Sequence, residues 1–323
     1  MEMIKLKPVV NLIRDLATYD LVLVPLSDEI KRSKNLDVSV TKNDVDMSAN
    51  CSVFTQDIPR NRGVHPRIYT NHGVSTTKGW GKAYNTDYYV VPSDFWADEI
   101  EAHFKNEGSV PYEIVRGIGW TKMDSWAIRN SRRDSFEELL KEEFDIEDDK
   151  KLIVFAPTYK KKSGWKKEQA RKWSINQIMN KLRDIPDAQV IGSYHQMDDT
   201  RERDDDCFYF EGTTLVDLFL IADVVVADTG SLVYECAAMD IPLVLLDNPD
   251  YDNFLRIKAH TYDGVVDVGP RVTLKELPKA VLSQLDNPNE YKTERHEFGS
   301  MVAGPTDCRC SQRFVKFLEE LIK

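Results

Sequence analysis

Apolar runs, each cut off by a turn, recur along the chain. They are LVLVPL (21–26), RIYTNHG (67–73), DYYVVPS (87–93), YEIVRGIG (112–119), KLIVFAPT (151–158), AQVIGSY (188–194), DVVVAD (223–228) and IPLVLLD (241–247). Short β-rich runs separated by amphipathic stretches predict a parallel sheet covered by helices, an α/β architecture. SDFWADEIEAHFKN (93–106) shows the helical period, with Ser93 at the N-cap position and Phe95, Trp96, Ile100 and Phe104 on one side. TTLVDLFLIA (213–222) repeats it with Leu215, Leu218, Phe219 and Ala222. SQRFVKFLEELIK at the end of the chain does so with Phe314, Phe317, Leu318 and Leu321.

The charged segment SRRDSFEELLKEEFDIEDDKK (131–151) separates two strand-rich halves. It predicts a first domain over 1–130, a charged linker or helix over 131–150, and a second domain over 151–323 whose terminal helix packs back on the first. A length of 323 residues suits two domains. Two α/β halves imply a ligand cleft between them.

Charge and cysteine usage narrow the function classes. A formal net charge of -11 argues against a protein that coats nucleic acid or an anionic membrane. One local exception is KKKSGWKKEQARK (160–172), with seven basic residues in thirteen. With Trp165 and Trp173 it is a nucleic-acid surface or a solvated basic loop. Five scattered cysteines without a C-x-x-C pair predict free thiols in a reducing cytoplasm. No apolar run reaches the roughly 20 residues of a membrane span, and the N-terminal residues do not read as a signal peptide.

Three stretches carry candidate chemistry. In VVVADTGSLVYECAAMDIPLVLLDNP (224–249) a continuous apolar strand ends at Asp228. A helical pattern then begins, with Leu232, Val233, Cys236 and Ala237 on one face. Thr229, Gly230 and Ser231 therefore stand at a helix N-terminus, where unpaired N–H groups and the helix dipole favour a phosphate. A plain N-cap would use the same residue types. In YTNHGVSTTKGWG (69–81), His72 follows a strand and faces the end of the sheet where open α/β folds bind ligands. It is a candidate general base, or a histidine capping a turn. In FAPTYKKKSGW (155–165), Lys160 could neutralise a pyrophosphate, or belong to a solvated loop. GIGWTKMD (117–124) lacks the third glycine of the dinucleotide fingerprint, which excludes a nicotinamide site.

Taken in order, these segments resemble the CDP-glycerol glycerophosphotransferase family of teichoic-acid primases and polymerases. NHGVSTTKGWG resembles its His-Gly signature at His72, Gly73 and Lys78, and VVPSDFWADEI resembles its Val-Pro-Ser helix start. GWTKMD is similar to its Gly-aromatic-Pro-basic-x-Asp element at Gly119, Trp120, Lys122 and Asp124. FAPTYK and VVVADTGSLVYECA resemble two further elements. The resemblance runs from about Arg67 to Pro249. Lys160 stands where the family has arginine, Thr121 where it has proline, and His195-Gln196 where it has His-Pro. Gly230 replaces the first of a serine pair, and Glu235 an aspartate. DTGSLVYECAAMDIPLVLL is similar as well to UDP-N-acetylglucosamine 2-epimerases.

The resemblance implies a GT-B fold and a transferase moving glycerophosphate, or a glycosyl group, from a nucleotide-diphosphate donor to a hydroxyl acceptor. It makes His72 the base. Asp228, Thr229, Gly230 and Ser231, with Lys160 and His195, bind the donor, CDP-glycerol or a UDP-sugar. Glu235 holds the ribose, and Gly73, Lys78 and Lys122 support the loops. The donor is then a substrate, with no cofactor and no metal expected. The rivals are a sugar-nucleotide glycosyltransferase, with nucleic acid as one acceptor through 160–172, a 2-epimerase, and a nucleotide-binding protein without catalysis. Cytoplasmic location follows from the thiols, and attachment at the membrane surface is the family's alternative.

Overall fold

Val9–Ile13 opens the first of two parallel six-stranded sheets. The computed structural model describes residues 7–13, 20–42, 46–55, 63–70, 86–105, 108–157, 173–195, 204–210, 214–228, 231–246, 256–258, 263–265 and 267–323. After β1 (Val9–Ile13) come α1 (Asp20–Arg32), β2 (Asp37–Thr41), β3 (Cys51–Phe54), β4 (Arg67–Thr70), β5 (Tyr88–Val90), α2 (Asp94–Phe104), β6 (Glu113–Val115) and α3 (Lys122–Asn130). Next are α4 (Arg133–Glu143), β7 (Lys151–Ala156), α5 (Ile175–Arg183), β8 (Ala188–Ser193), β9 (Cys207–Phe208), α6 (Thr214–Ile221), β10 (Val224–Ala227), α7 (Ser231–Ala238) and β11 (Leu243–Leu246). β12 (Arg256–Lys258) and β13 (Asp263–Val265) form an antiparallel pair, followed by β14 (Arg271–Val272), α8 (Leu277–Asp286), α9 (Lys292–Ala303) and α10 (Cys310–Leu321).

The chain divides into two units. Unit 1 is Met1–Ile128 with Met301–Lys323, and unit 2 is Arg129–Ser300. The segment 131–150 thus lies wholly within unit 2, where α4 packs on α6. The terminal helix α10 belongs to unit 1.

Unit 1 has strand order β2-β1-β3-β4-β5-β6, every pair parallel. Its core joins Val10, Leu12, Val53 and Ile68 of the sheet to Leu26 and Ile30 of α1 and to Phe314, Val315 and Leu318 of α10. LVLVPL, expected as a strand, lies in α1. Val22, Leu26 and Ile30 recur every fourth residue and are fully buried, while Val24 between them is exposed. That period belongs to a helix, and burying its stripe outweighs the break made by Pro25 inside it.

Unit 2 has order β14-β11-β10-β7-β8-β9, again all parallel. Ile153, Phe155, Val224, Val226, Val244 and Leu246 meet Ile178, Met179 and Leu182 of α5 and Leu277 and Val281 of α8. The central strands are buried along their length, as sheets covered on both faces require. α5 begins with a full capping box between Ser174 and Gln177. Gly192 in β8 is required by packing, since a Cβ there would lie 2.2 Å from the Cys207 sulfur.

Candidate functional site

The chain enters the sheet of unit 2 at its middle. From β7 it runs outward through β8 to β9, then returns to the other side of β7 for β10, β11 and β14. Strand order therefore reverses between β7 and β10. Open α/β sheets bind ligands outside the carboxyl ends of the strands at such a reversal, because the connections part there and leave a crevice.

Three predicted donor-binding segments follow the carboxyl ends of three adjacent strands. Ala227 of β10 is level with Ala156 of β7, and Phe155 of β7 with Gly192 of β8. Beyond β7 the sequence leads to Lys160, beyond β8 to His195, and beyond β10 through Asp228 to Ser231, the first residue of α7. His195 is half-buried, whereas Asp228 and Glu235 are each 3% exposed. α7, eight residues long, begins at Ser231, with Asp228, Thr229 and Gly230 between it and the end of β10 in the sequence. Lys160, Thr229, Gly230 and the side chain of Ser231 lie outside the described residues, as do His72, Gly73 and Lys78 beyond β4. The basic stretch 160–172 does too. Among the described residues no group of three or more His, Cys, Asp and Glu side chains is placed to hold a metal ion. No described helix is long and apolar enough to cross a membrane.

Lys122 stands elsewhere, in unit 1, where it opens α3. It is buried, with Nζ 5.3 Å from the centre of the Trp120 ring. The segment around it has a structural role that the sequence did not reveal. Asp124, 4% exposed, accepts hydrogen bonds from the backbone N–H of Cys310 at 3.1 Å and of Ser311 at 2.6 Å. Its carboxylate thus caps the N-terminus of α10, where negative charge is favoured. Arg313 of α10 donates from Nε to the Ile118 carbonyl at 2.8 Å and forms a two-pronged pair with Asp307. Gly119, at φ +87°, gives Cys310 room, because a Cβ would sit 2.7 Å from its sulfur. Burial, with help from the Asp124 charge, pushes the Cys310 thiol up to about 12.

The Val-Pro-Ser element docks the same terminal segment. Ser93 occupies the N-cap position of α2 but makes no side-chain cap; its hydroxyl donates instead to the Met301 carbonyl at 2.6 Å. Trp96 donates from its indole N–H to the Val302 carbonyl at 2.7 Å. Two of the five motifs noted in the sequence therefore hold residues 301–323 in unit 1.

The profile of CDP-Glycerol:Poly(glycerophosphate) glycerophosphotransferases matches residues 61–320. No curated protein sequence matches the chain. Among solved structures, a variant of the wall teichoic acid polymerase TagF is similar over 98% of this chain and 88% of its own, at 16% identity and a TM-score of 0.66. A TagF variant soaked with CDPG gives 16% identity, the same two coverages and a TM-score of 0.63. The UDP-GlcNAc 2-epimerase of Neisseria meningitidis, bound to UDP-GlcNAc, is similar over 97% of this chain and all of its own, at 11% identity and a TM-score of 0.61. At such identities the likeness carries the fold alone, two parallel α/β sheets of the GT-B class.

Proposed function

This chain belongs to the CDP-glycerol:poly(glycerophosphate) glycerophosphotransferase family, and on that premise we propose that it transfers glycerophosphate from CDP-glycerol to a hydroxyl acceptor. The observation that supports the donor site is the level carboxyl ends of β7, β8 and β10, around the reversal of strand order, with α7 starting immediately beyond. A diphosphate suits that position: its charge meets the positive end of α7 and the unpaired N–H groups of its first turn.

The reaction follows from the chemistry of a phosphoanhydride. The acceptor oxygen attacks the phosphorus that carries glycerol and forms a new P–O bond. The bond from that phosphorus to the bridging oxygen breaks, and CMP leaves with the electron pair. His72 takes the acceptor proton as the new bond forms. Thr229, Gly230 and Ser231, with Lys160 and His195, bind the diphosphate and offset the charge gathering on the leaving oxygen, the largest contribution such a site makes. Lysine at 160 supplies that charge as a point, without the two-pronged geometry of arginine. Glu235, buried four residues into α7, accepts hydrogen bonds from the ribose hydroxyls. The nucleotide is consumed as substrate, and no cofactor enters the scheme.

Thermal shift with CDP-glycerol, CDP, UDP-GlcNAc and UDP tests the reading. Stabilisation by the cytidine compounds alone is expected, since a ligand at a hundred times its Kd adds about 2.7 kcal/mol to the folded state. Stabilisation by the uridine compounds alone would replace this reading with the 2-epimerase or glycosyltransferase one.

A further inference from the structure

The donor site as read above depends on where α7 points, and α7 is a short helix. Eight residues make about two turns, too few to be stable without tertiary support. Its far end is closed by a Schellman motif: the N–H of Ile241 bonds to the Cys236 carbonyl at 2.9 Å and that of Asp240 to the Ala237 carbonyl at 3.1 Å. The residue in the left-handed conformation of that motif is normally glycine. Here it is Asp240, at φ +54°, which costs backbone strain.

A compensating contact reaches Asp240 from α9. Arg295, only 1% exposed, donates from Nε to Asp240 Oδ1 at 2.9 Å, with Nη2 at the same distance from that oxygen. Nη2 also donates to the Pro288 carbonyl at 2.9 Å, so the guanidinium is fixed to the segment between α8 and α9. Lys292 lies 3.6 Å from the other carboxylate oxygen. The same helix continues along α7. The Phe298 and Tyr234 rings meet at 5.4 Å, and a Cβ on Gly299 would fall 2.5 Å from the Ala238 Cα. The strained cap, the buried arginine and the backbone contact tie α9 to α7, which packs on the sheet strands β10 and β11.

We propose that the Asp240–Arg295 pair positions α7, fixing the height and rotation of the helix so that its N-terminal N–H groups stand ready for the donor diphosphate. Asp240 and Arg295 are positioning residues, two turns from the end that meets the ligand. The proposal rests on the donor reading for its functional consequence and on the α7–α9 packing for its mechanical one.

Asp240→Gly removes the carboxylate without adding backbone strain, because glycine accepts the left-handed conformation; it leaves Arg295 without that partner. Asp240→Asn is the conservative control, keeping an acceptor for Arg295. CDP-glycerol binding is measured by calorimetry, and amide hydrogen exchange is followed over 231–238 without ligand. D240G is expected to raise the Kd about tenfold or more and to speed exchange at the amides of 235–238, whose bonds to the first-turn carbonyls hold α7 together. D240N should restore both to near wild type. An unchanged Kd in D240G, with faster exchange confined to the cap amides of 239–241, overturns the proposal. If wild-type protein binds neither CDP-glycerol nor UDP-GlcNAc, the donor reading fails, and exchange at 235–238 alone decides the positioning claim. Should D240G fail to fold, Arg295→Lys, which keeps the buried cation but loses the fork, is read the same way.

Discussion

Replacing Asp124 with alanine tests whether the end of the chain is a structural part of unit 1. The carboxylate is buried and accepts from two successive backbone N–H groups at the start of α10. Hydrogen bonds to a charged group contribute about 1.5–3 kcal/mol each, and buried N–H groups left without partners keep their desolvation cost. Losing two such bonds costs about 3–6 kcal/mol, and the relief of taking a carboxylate out of a buried site lowers this to about 2–3 kcal/mol. That exceeds the roughly 1 kcal/mol of an ordinary exposed cap. Asp124→Asn keeps one acceptor oxygen and should lose about half as much. At about 2–4 °C per kcal/mol, D124A should melt about 4–12 °C lower. Hydrogen exchange should localise the change to α10 and to the Phe314, Val315 and Leu318 contacts. A D124A protein melting within about 2 °C of wild type, with α10 still protected, would refute the reasoning.

Two further outcomes are expected. His72→Ala should lower turnover by about 10²–10⁴ while leaving the Kd for CDP-glycerol unchanged; unaltered turnover would remove the histidine from the reaction. Of the five free cysteines only Cys308 is exposed, so native protein should show one fast thiol towards a disulfide reagent and five when unfolded. Burial raises the Cys51 and Cys310 thiols from an ordinary 9.0 to about 12. Groups raised on folding stabilise fully below the unfolded value, and that stability is lost as pH climbs towards the folded one. The unfolding free energy from urea titration should therefore fall from pH 9 upward, by about 1.4 kcal/mol per thiol for each pH unit until about 12. A Cys51→Ala/Cys310→Ala protein with the same slope would disprove that origin.

The strands that sequence reading found are the ones with dense apolar runs. KLIVFA, AQVIGS, VVVA and LVLL are buried on both faces, and a continuous β-branched stretch bounded by turns has few other uses. β1 and β3 escaped because VVNLI carries the buried Asn11, bonded to Ser39 and Thr41 of β2, and because CSVF is interrupted by the buried Ser52, whose hydroxyl accepts from the Val64 N–H. LVLVPL misled through composition: its residue types suit a strand, and only Ile30, four residues beyond the run, reveals the helical period. At the candidate site, the segments proposed to bind the donor follow adjacent strand ends, as the order of motifs along the chain implied. That order could not show that Asp124 and Ser93 serve the terminal segment, since their partners lie 186 and 208 residues away. Motif spacing encodes local geometry, and contacts of that sequence separation leave no periodic trace. Arg295 and Asp240, 55 residues apart, are hidden for the same reason.

Unit 1 takes its first 128 residues from one side of unit 2 in the sequence and its last 23 from the other. Synthesis runs from the N-terminus and domains fold as units as they emerge, so unit 2 is the first able to finish. The sheet face awaiting Phe314, Val315 and Leu318 stays bare throughout the making of unit 2. The nascent chain therefore carries an open apolar surface until α10 emerges, and a stop or frameshift just ahead of α10 strikes the beginning of the fold.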